Sequence, residues 1–342
     1  MSTEMPAWKD FGPVWVGSGT LGFFGEGWWF HPFYRFFFGN RFNFSGATFV
    51  AKTVPVESRR GKSYDEPGNM VMDYSGESPR DFFPDCIALG LKGFIEGWMQ
   101  NSVGLSGPGA GHFFYRSHQM ARTIDWTNLT KEGFFFSYAS TRKGKEALQD
   151  AFEWVQLASK EYYYRASGLP KFAIQYNVSC PNTEHDSEVI WGTLAILGEL
   201  GPVVPKFGLT TTPEVARDLV KHPACMGLHI SNTLLFGETP ILAGRPFDWR
   251  PFARKDGTSR LKKYGGGGLS GKPLLKPVCQ WVRHARKIGI DKPINAGGGI
   301  LHRDDIDLFK QCGADGISFA SVAVLRPWNI ASIIERAHQL FT

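Results

Sequence analysis

Cysteine is scarce and scattered. Cys86, Cys180, Cys225, Cys279 and Cys312 are the five in the chain, and no pair of them has Cys-x-x-Cys spacing. That argues against a disulfide framework, a zinc knuckle or an iron–sulfur cluster held by this chain alone. No metal site is expected, and the pattern fits a reducing compartment. Long apolar runs are missing too. No stretch of eighteen apolar residues occurs, so no membrane span is expected. Met1 to Asp10 is polar and lacks the pattern of a secretory leader. The expected location is cytoplasmic. Low-complexity tails and short-period repeats are also absent. Neither sign of charge dominates: 38 Lys and Arg against 32 Asp and Glu leave a net charge of +6, with an isoelectric point near 9.0. The densest basic piece, Arg250 to Lys263, contains Asp256 and reads as a solvated loop. Its competing reading is attraction of an anionic substrate or of RNA.

What the chain has is an ordinary globular mixture, 42% hydrophobic and 20% charged over 342 residues. A single α/β barrel domain with loop insertions, spanning 1–342, suits that length. Short β-branched or aromatic runs recur at 12–16, 47–54, 133–138, 172–176, 202–207, 227–231, 293–296 and 315–319. Helical patterns stand between most of them, at about 143–165, 191–200, 211–221, 276–287, 302–311 and 327–341. Eight strands alternating with helices predict a parallel α/β fold, and the number eight predicts a closed (β/α)8 TIM barrel. A further helical pattern runs from about Cys86 to Trp98. Two long connections, after the second strand (Pro55 to about Pro84) and after the sixth (Leu234 to Gly268), read as lids rather than linkers. The strongly aromatic stretch Phe23 to Phe38 reads as a first helix and loop packed under the barrel; an oligomer contact or a membrane-surface patch is the other reading.

In such a barrel the active-site groups lie at the C-terminal ends of the strands. The most informative of these ends is Asn177-Val178-Ser179-Cys180-Pro181-Asn182, closing the fourth strand. A thiol takes or gives one proton, and an Asn side chain both donates and accepts. Together they describe a proton-transfer site for a flat, amide-containing molecule; a buried structural cysteine is the plain alternative. The same face gathers Gly17-Ser18-Gly19, Lys52-Thr53, the glycine-rich loop from Asn101 to Gly111, Lys206, Asn232-Thr233, Gly297 to Gly299 and Ala320-Ser321. Asn101, Asn177, Asn182 and Asn232 suit a ring whose edge alternates N–H and C=O. Lys52 and Lys206 suit an anionic ring or a carboxylate. Small residues after the seventh and eighth strands suit a phosphate, and the turn ending at Gly271 adds to them.

The set resembles the dihydroorotate dehydrogenase family, particularly its soluble, cysteine-using, class 1-like branch, from about Phe11 to the C-terminus. Asn177-Val-Ser-Cys-Pro-Asn182 is the most specific motif. Asn101-Ser-Val-Gly-Leu105, Gly267-Gly-Leu-Ser-Gly271-Lys-Pro273 and Ala296-Gly-Gly-Gly-Ile300 support it. The resemblance implies FMN across the strand ends, its phosphate near Gly271, Gly298, Gly299, Ala320 and Ser321. Gly17, Ser18, Lys52, Asn177 and Lys206 would face the flavin ring or ribityl chain, with Ser231 in the same cofactor-binding set. The substrate carboxylate would meet Lys52, Asn101 and the backbone of Val103, Gly104 and Leu105. Its pyrimidine edges would meet Asn177, Asn182, Asn232 and Thr233. Cys180 would be the general base that removes the C5 proton as hydride leaves C6 for flavin N5. The membrane-bound branch has a serine there. The implied activity is oxidation of (S)-dihydroorotate to orotate in pyrimidine biosynthesis. The expected partners are a small pyrimidine, a second copy of the chain and an electron-transfer subunit, with no nucleic acid.

Some stretches depart from the family pattern. Asn101-Ser-Val-Gly-Leu105 is followed by Ser-Gly-Pro-Gly109 where the family has Pro-Asn, and Asn182 is followed by Thr-Glu-His-Asp186. Three alternatives stay open. One is a dihydropyrimidine dehydrogenase-like reductase, whose iron–sulfur segments a partner would have to supply. Another is a tRNA-dihydrouridine synthase-like flavoenzyme. The last is a non-enzymatic flavin-binding scaffold.

Overall fold

The computed structural model describes residues 5–61, 67–120, 133–162, 171–178 and 187–341. Cys180 and Asn182 lie outside the described residues, as does the loop 183–186 that follows them. Eleven strands are present among those described: β1 (Val14–Val16), β2 (Ile87–Ala88), β3 (Trp98–Asn101), β4 (Gly133–Tyr138), β5 (Lys171–Asn177), β6 (Val203–Phe207), β7 (Leu228–Ile230), β8 (Leu234–Leu235), β9 (Gly268–Gly271), β10 (Ile294–Gly297) and β11 (Gly316–Phe319). Seven of them form one sheet in the order β1-β11-β10-β7-β6-β5-β4, and each neighbouring pair is parallel. Helices join them, among them Lys145–Tyr162, Ser187–Gly198, Pro213–Leu219, Leu275–Lys287, Asp305–Cys312 and Ile330–Phe341. Seven of the eight expected strand runs therefore hold a strand of this sheet.

The remaining run, 47–54, is not a strand of that sheet. It makes single parallel bridges, Trp15↔Thr48 to β1 and Val50↔Phe135 and Val54↔Tyr138 to β4. Thr48 N–H donates to Val14 O at 2.7 Å and Val16 N–H to Thr48 O at 2.9 Å. On the other side Ala51 N–H donates to Phe135 O at 2.9 Å and Val54 N–H to Ser137 O at 2.8 Å. The run divides its hydrogen bonds between the two outer strands, so it completes a ladder with neither.

Side chains alternate across these strands, and the alternation sorts the core. Val14, Val16, Phe134, Phe136, Ile174 and Val203 join the large cluster beneath the helices. Their neighbours Trp15, Phe135, Ala173 and Val204, with Val50 and Phe11, form a separate buried cluster on the opposite face of the sheet. Phe135 stands 4.4 Å from Trp15 and 4.6 Å from Phe11, ring centre to ring centre. Phe135→Ala should lower unfolding stability by about 3–5 kcal/mol, read as a shift in the urea midpoint at unchanged slope. A shift worth less than about 1 kcal/mol would show that this cluster is not tightly packed. The short helix Trp8–Phe11 closes that end, with Trp8 packed 4.8 Å from Trp15.

The two long connections are not free lids. The segment that follows the first (β2 and β3) pairs with the two ends of the second (β8 and β9) in a four-stranded antiparallel sheet, β2-β3-β9-β8. The expected helix from Cys86 to Trp98 is corrected: β2 and β3 flank a short helix, Leu91–Glu96. Gly90 precedes that helix, and Gly97 ends it in the left-handed conformation at φ +82°. Gly271 is required where the strands cross, since a Cβ there would stand 2.2 Å from Gly97 O. Trp98, Leu269 and Phe252 form the cap's own small core.

Candidate active site

A cavity of about 750 Å³ opens at the C-terminal end of the parallel strands. Gly17 and Ser18 follow β1, Lys52 and Thr53 end the bridging run, and Asn177 ends β5. Lys206 lies in β6, Ser231 to Thr233 follow β7, Gly297 to Gly299 end β10, and Ala320 and Ser321 follow β11; all of them line the cavity. The antiparallel cap contributes Asn101 and Gly271, and the loop after β3 contributes Val103 and Leu105. Of the described residues given a substrate or cofactor role from the sequence, Gly104 alone stands outside this lining. Its carbonyl accepts from Arg59 Nε at 3.0 Å, and its φ of +72° turns the loop.

The amides are fixed before any ligand arrives. Asn232 Nδ2 donates to Asn177 Oδ1 at 3.0 Å, and Asn232 Oδ1 accepts from the Thr233 backbone at 3.0 Å. Asn101 Nδ2 donates to Ser270 Oγ at 3.4 Å, which ties it across the cap. The Ile230–Ser231 peptide is cis, and Ser231 Oγ donates to Gly297 O at 3.1 Å. Side-chain amides held this way present a set donor and acceptor pattern, which suits a flat heterocycle.

Lys52 and Lys206 are both buried. Lys52 Nζ donates to the Ser106 carbonyl and stands 4.8 Å from the Phe23 ring centre. Burial brings its pKa down to about 7; Arg59 also lowers it, while Cys86 and Glu26 pull the other way. An anion beside Lys52 restores its charge, so the site favours anionic ligands. His229, on the cavity floor, is held neutral by burial, with the nearby Lys206 adding to the effect. Its Nδ1 lies 2.9 Å from Gln175 Nε2, which can only donate. The ring proton is therefore assigned to Nε2, 2.6 Å from Ser318 Oγ.

The small residues make a cradle. The backbone N–H groups of Gly298, Gly299, Ala320 and Ser321 donate to no group among the described residues. Gly298 holds φ +129°, a conformation L side chains rarely adopt, and a Cβ there would crowd Ser231 Oγ at 3.0 Å. Converging backbone donors of this kind suit a phosphate.

Sequence reasoning missed part of the wall. His229 and Ser318 are the polar members of otherwise apolar strands, Leu228–Ile230 and Gly316–Phe319, and that inward polar position was the available signal. The aromatic stretch is a correction: it does not pack under the barrel. Trp28, Trp29, Phe30 and Tyr34 line the cavity beside Phe82 and Phe83. Trp28 Nε1 donates to Gly19 O at 2.9 Å, which fixes the stretch to the loop after β1.

No family profile matches the chain. It is similar to curated relatives named dihydroorotate dehydrogenase B (NAD(+)), catalytic subunit. That of Listeria innocua is 25% identical over 248 residues, 69% of this chain and 70% of the relative. That of Alkaliphilus oremlandii is 26% identical over 255 residues, 70% of this chain and 71% of the relative. Among solved structures, the ligand-free DHODH of Eimeria tenella superposes with a TM-score of 0.62 at 15% identity, covering 96% of this chain and 82% of that one. The same enzyme with ferulenol gives 0.62 at 16% identity, covering 96% and 80%. In sequence over about seven-tenths of its length, and in fold over nearly all of it, the chain is similar to the dihydroorotate dehydrogenases.

Proposed function

We propose that this chain oxidises dihydroorotate to orotate, with FMN as its flavin. One observation carries the reading. Two buried lysines and the amides of Asn101, Asn177 and Asn232 share a single cavity at the strand ends. That combination matches an anionic carboxylate joined to a ring of alternating N–H and C=O groups. The names of the curated relatives support the same activity. The phrase "catalytic subunit" in those names supports a separate electron-transfer partner. Run 47–54 is read as the eighth stave of a closed (β/α)8 barrel, supported by its bridges to both β1 and β4.

FMN fits the residues present. The cavity volume lies within the usual range for cofactor sites. The N–H groups of Gly298, Gly299, Ala320 and Ser321, with Gly271 beside them, would hold its phosphate. Gly17, Ser18, Lys206 and Ser231 would hold the rest. FMN, when bound, supplies hydride acceptance. The chain's own groups do the remaining work. Lys52 and Asn101 hold the substrate carboxylate, with the backbone of Val103 to Leu105. Asn177, Asn182, Asn232 and Thr233 read the ring edges. Cys180 takes the proton from C5. The cap excludes water from the reacting atoms.

Anaerobic addition of dihydroorotate to the purified protein should bleach its visible flavin absorption within one turnover. A colourless protein, or a yellow one that dihydroorotate leaves unbleached, overturns the reading.

A further inference from the structure

The helix His31–Phe38 has two apolar faces and only one core to bury them in. His31, Tyr34 and Phe38 face inward: Tyr34 stands 5.6 Å from Phe42, and Phe38 stands 5.4 Å from Trp328. Phe33, Phe36 and Phe37, at i, i+3 and i+4, share the other side. They are 57%, 83% and 71% exposed. This outward face runs on to the cavity mouth. Trp29, in the cavity wall, lies 6.5 Å from Phe33 and stacks on Phe82 at 3.3 Å, beside the exposed Phe83. Isolated exposed rings are ordinary, but a connected set around a cavity mouth marks a contact surface.

Charge says what the surface contacts. From Gly27 to Val56 the chain holds no Asp or Glu. Arg35 lies on the helix itself and Arg41 in the turn after it; both are exposed, and neither is ion-paired among the described residues. Asp81 and Asp85, beside Phe82 and Phe83, are matched by Arg80 and Lys263. Stable attachment to a lipid surface takes two signals, apolar insertion and attraction to anionic headgroups. This helix and its turn carry both.

We propose that the Phe33–Phe36–Phe37 face, with Arg35 and Arg41, seats the protein on the surface of an anionic bilayer, with the cavity mouth turned toward the lipid. The contact is with the surface of the bilayer; among the described residues, no helix is long and apolar enough to cross a membrane. The proposal does not depend on which substrate the cavity takes.

Vesicle flotation of the purified full chain tests it. The protein should float with vesicles containing about one-third phosphatidylglycerol, stay behind with pure phosphatidylcholine, and be released by high salt. Arg35→Glu with Arg41→Glu should weaken partitioning at least about twentyfold, from roughly fivefold per arginine. Phe36→Ser with Phe37→Ser should weaken it roughly a hundredfold. None of these four side chains lines the cavity, so both variants should keep the parent's thermal unfolding curve and visible spectrum. Absence of flotation, equal flotation on neutral vesicles, or variants that float like the parent each overturn the proposal. So does light scattering in which the serine pair splits a dimer while no vesicle binding occurs, since the face is then a contact between copies.

Discussion

Cys180→Ala should slow reduction of the flavin by dihydroorotate about 10²- to 10⁴-fold, the usual weight of a general base, while leaving the flavin bound. The strand that leads to it ends at the cavity. Asn177 closes β5 on the cavity wall, and Cys180 follows three residues later. An ordinary thiol, with a pKa of ~8.5, is only a few per cent thiolate near neutrality. The rate should therefore climb with pH until the thiol has ionised. Stopped-flow bleaching at saturating substrate measures both effects. An alanine variant that reduces its flavin at the parent's rate would remove Cys180 from the chemistry. So would a flat profile from about pH 6 to 9 with the chemical step limiting.

Lys52→Met is expected to do two opposite things: weaken binding of orotate and stabilise the ligand-free protein. In the folded chain Lys52 titrates near 7 instead of near 10.5 because it is buried. Between those two values the unfolded chain binds the proton more tightly, so stability rises with pH across that window. Below pH 7 the whole penalty is present, on the order of 5 kcal/mol. Removing the lysine also removes its bond to the Ser106 carbonyl, which returns about 1–3 kcal/mol of the gain. The net expectation is a variant more stable than the parent by about 2–4 kcal/mol at pH 6, with the advantage fading toward pH 10. Urea unfolding at several pH values reads this directly. A variant less stable at pH 6, or a difference that does not change with pH, contradicts it. Orotate affinity should fall at least about tenfold, because the anion loses its buried partner.

Much of the parallel sheet was legible because its strands are dense in β-branched and aromatic residues, as in Gly133–Tyr138 and Val203–Phe207. Their ends carried the polar residues that now line one cavity. The cap was not legible, for a physical reason. β2 and β8 are two residues long, and two of the four residues of β9 are glycine. None of the three shows a period, and the pairing of β9 with β3 is decided by segments far apart in sequence. The Cys86–Trp98 region was misread because Phe94 and Trp98 have helical spacing; Gly90 and Gly97 override it. The aromatic stretch was conspicuous in composition, yet nothing local says whether such a stretch lies under a barrel or over its mouth. The link from Trp28 to Gly19 decides that.

The cap also sets an order of events. Asn101 and Ser270, joined across β3 and β9, are 169 residues apart in the chain. A sheet of such short strands cannot offset the entropy of closing so long a loop unless the barrel has already brought the segments together. The cap is thus expected to form after the barrel strands are in place. Asn101 and Gly271 line the cavity from that cap, so hydrogen exchange in β3 and β9 should be faster than in the seven-stranded sheet and should slow when a ligand fills the cavity.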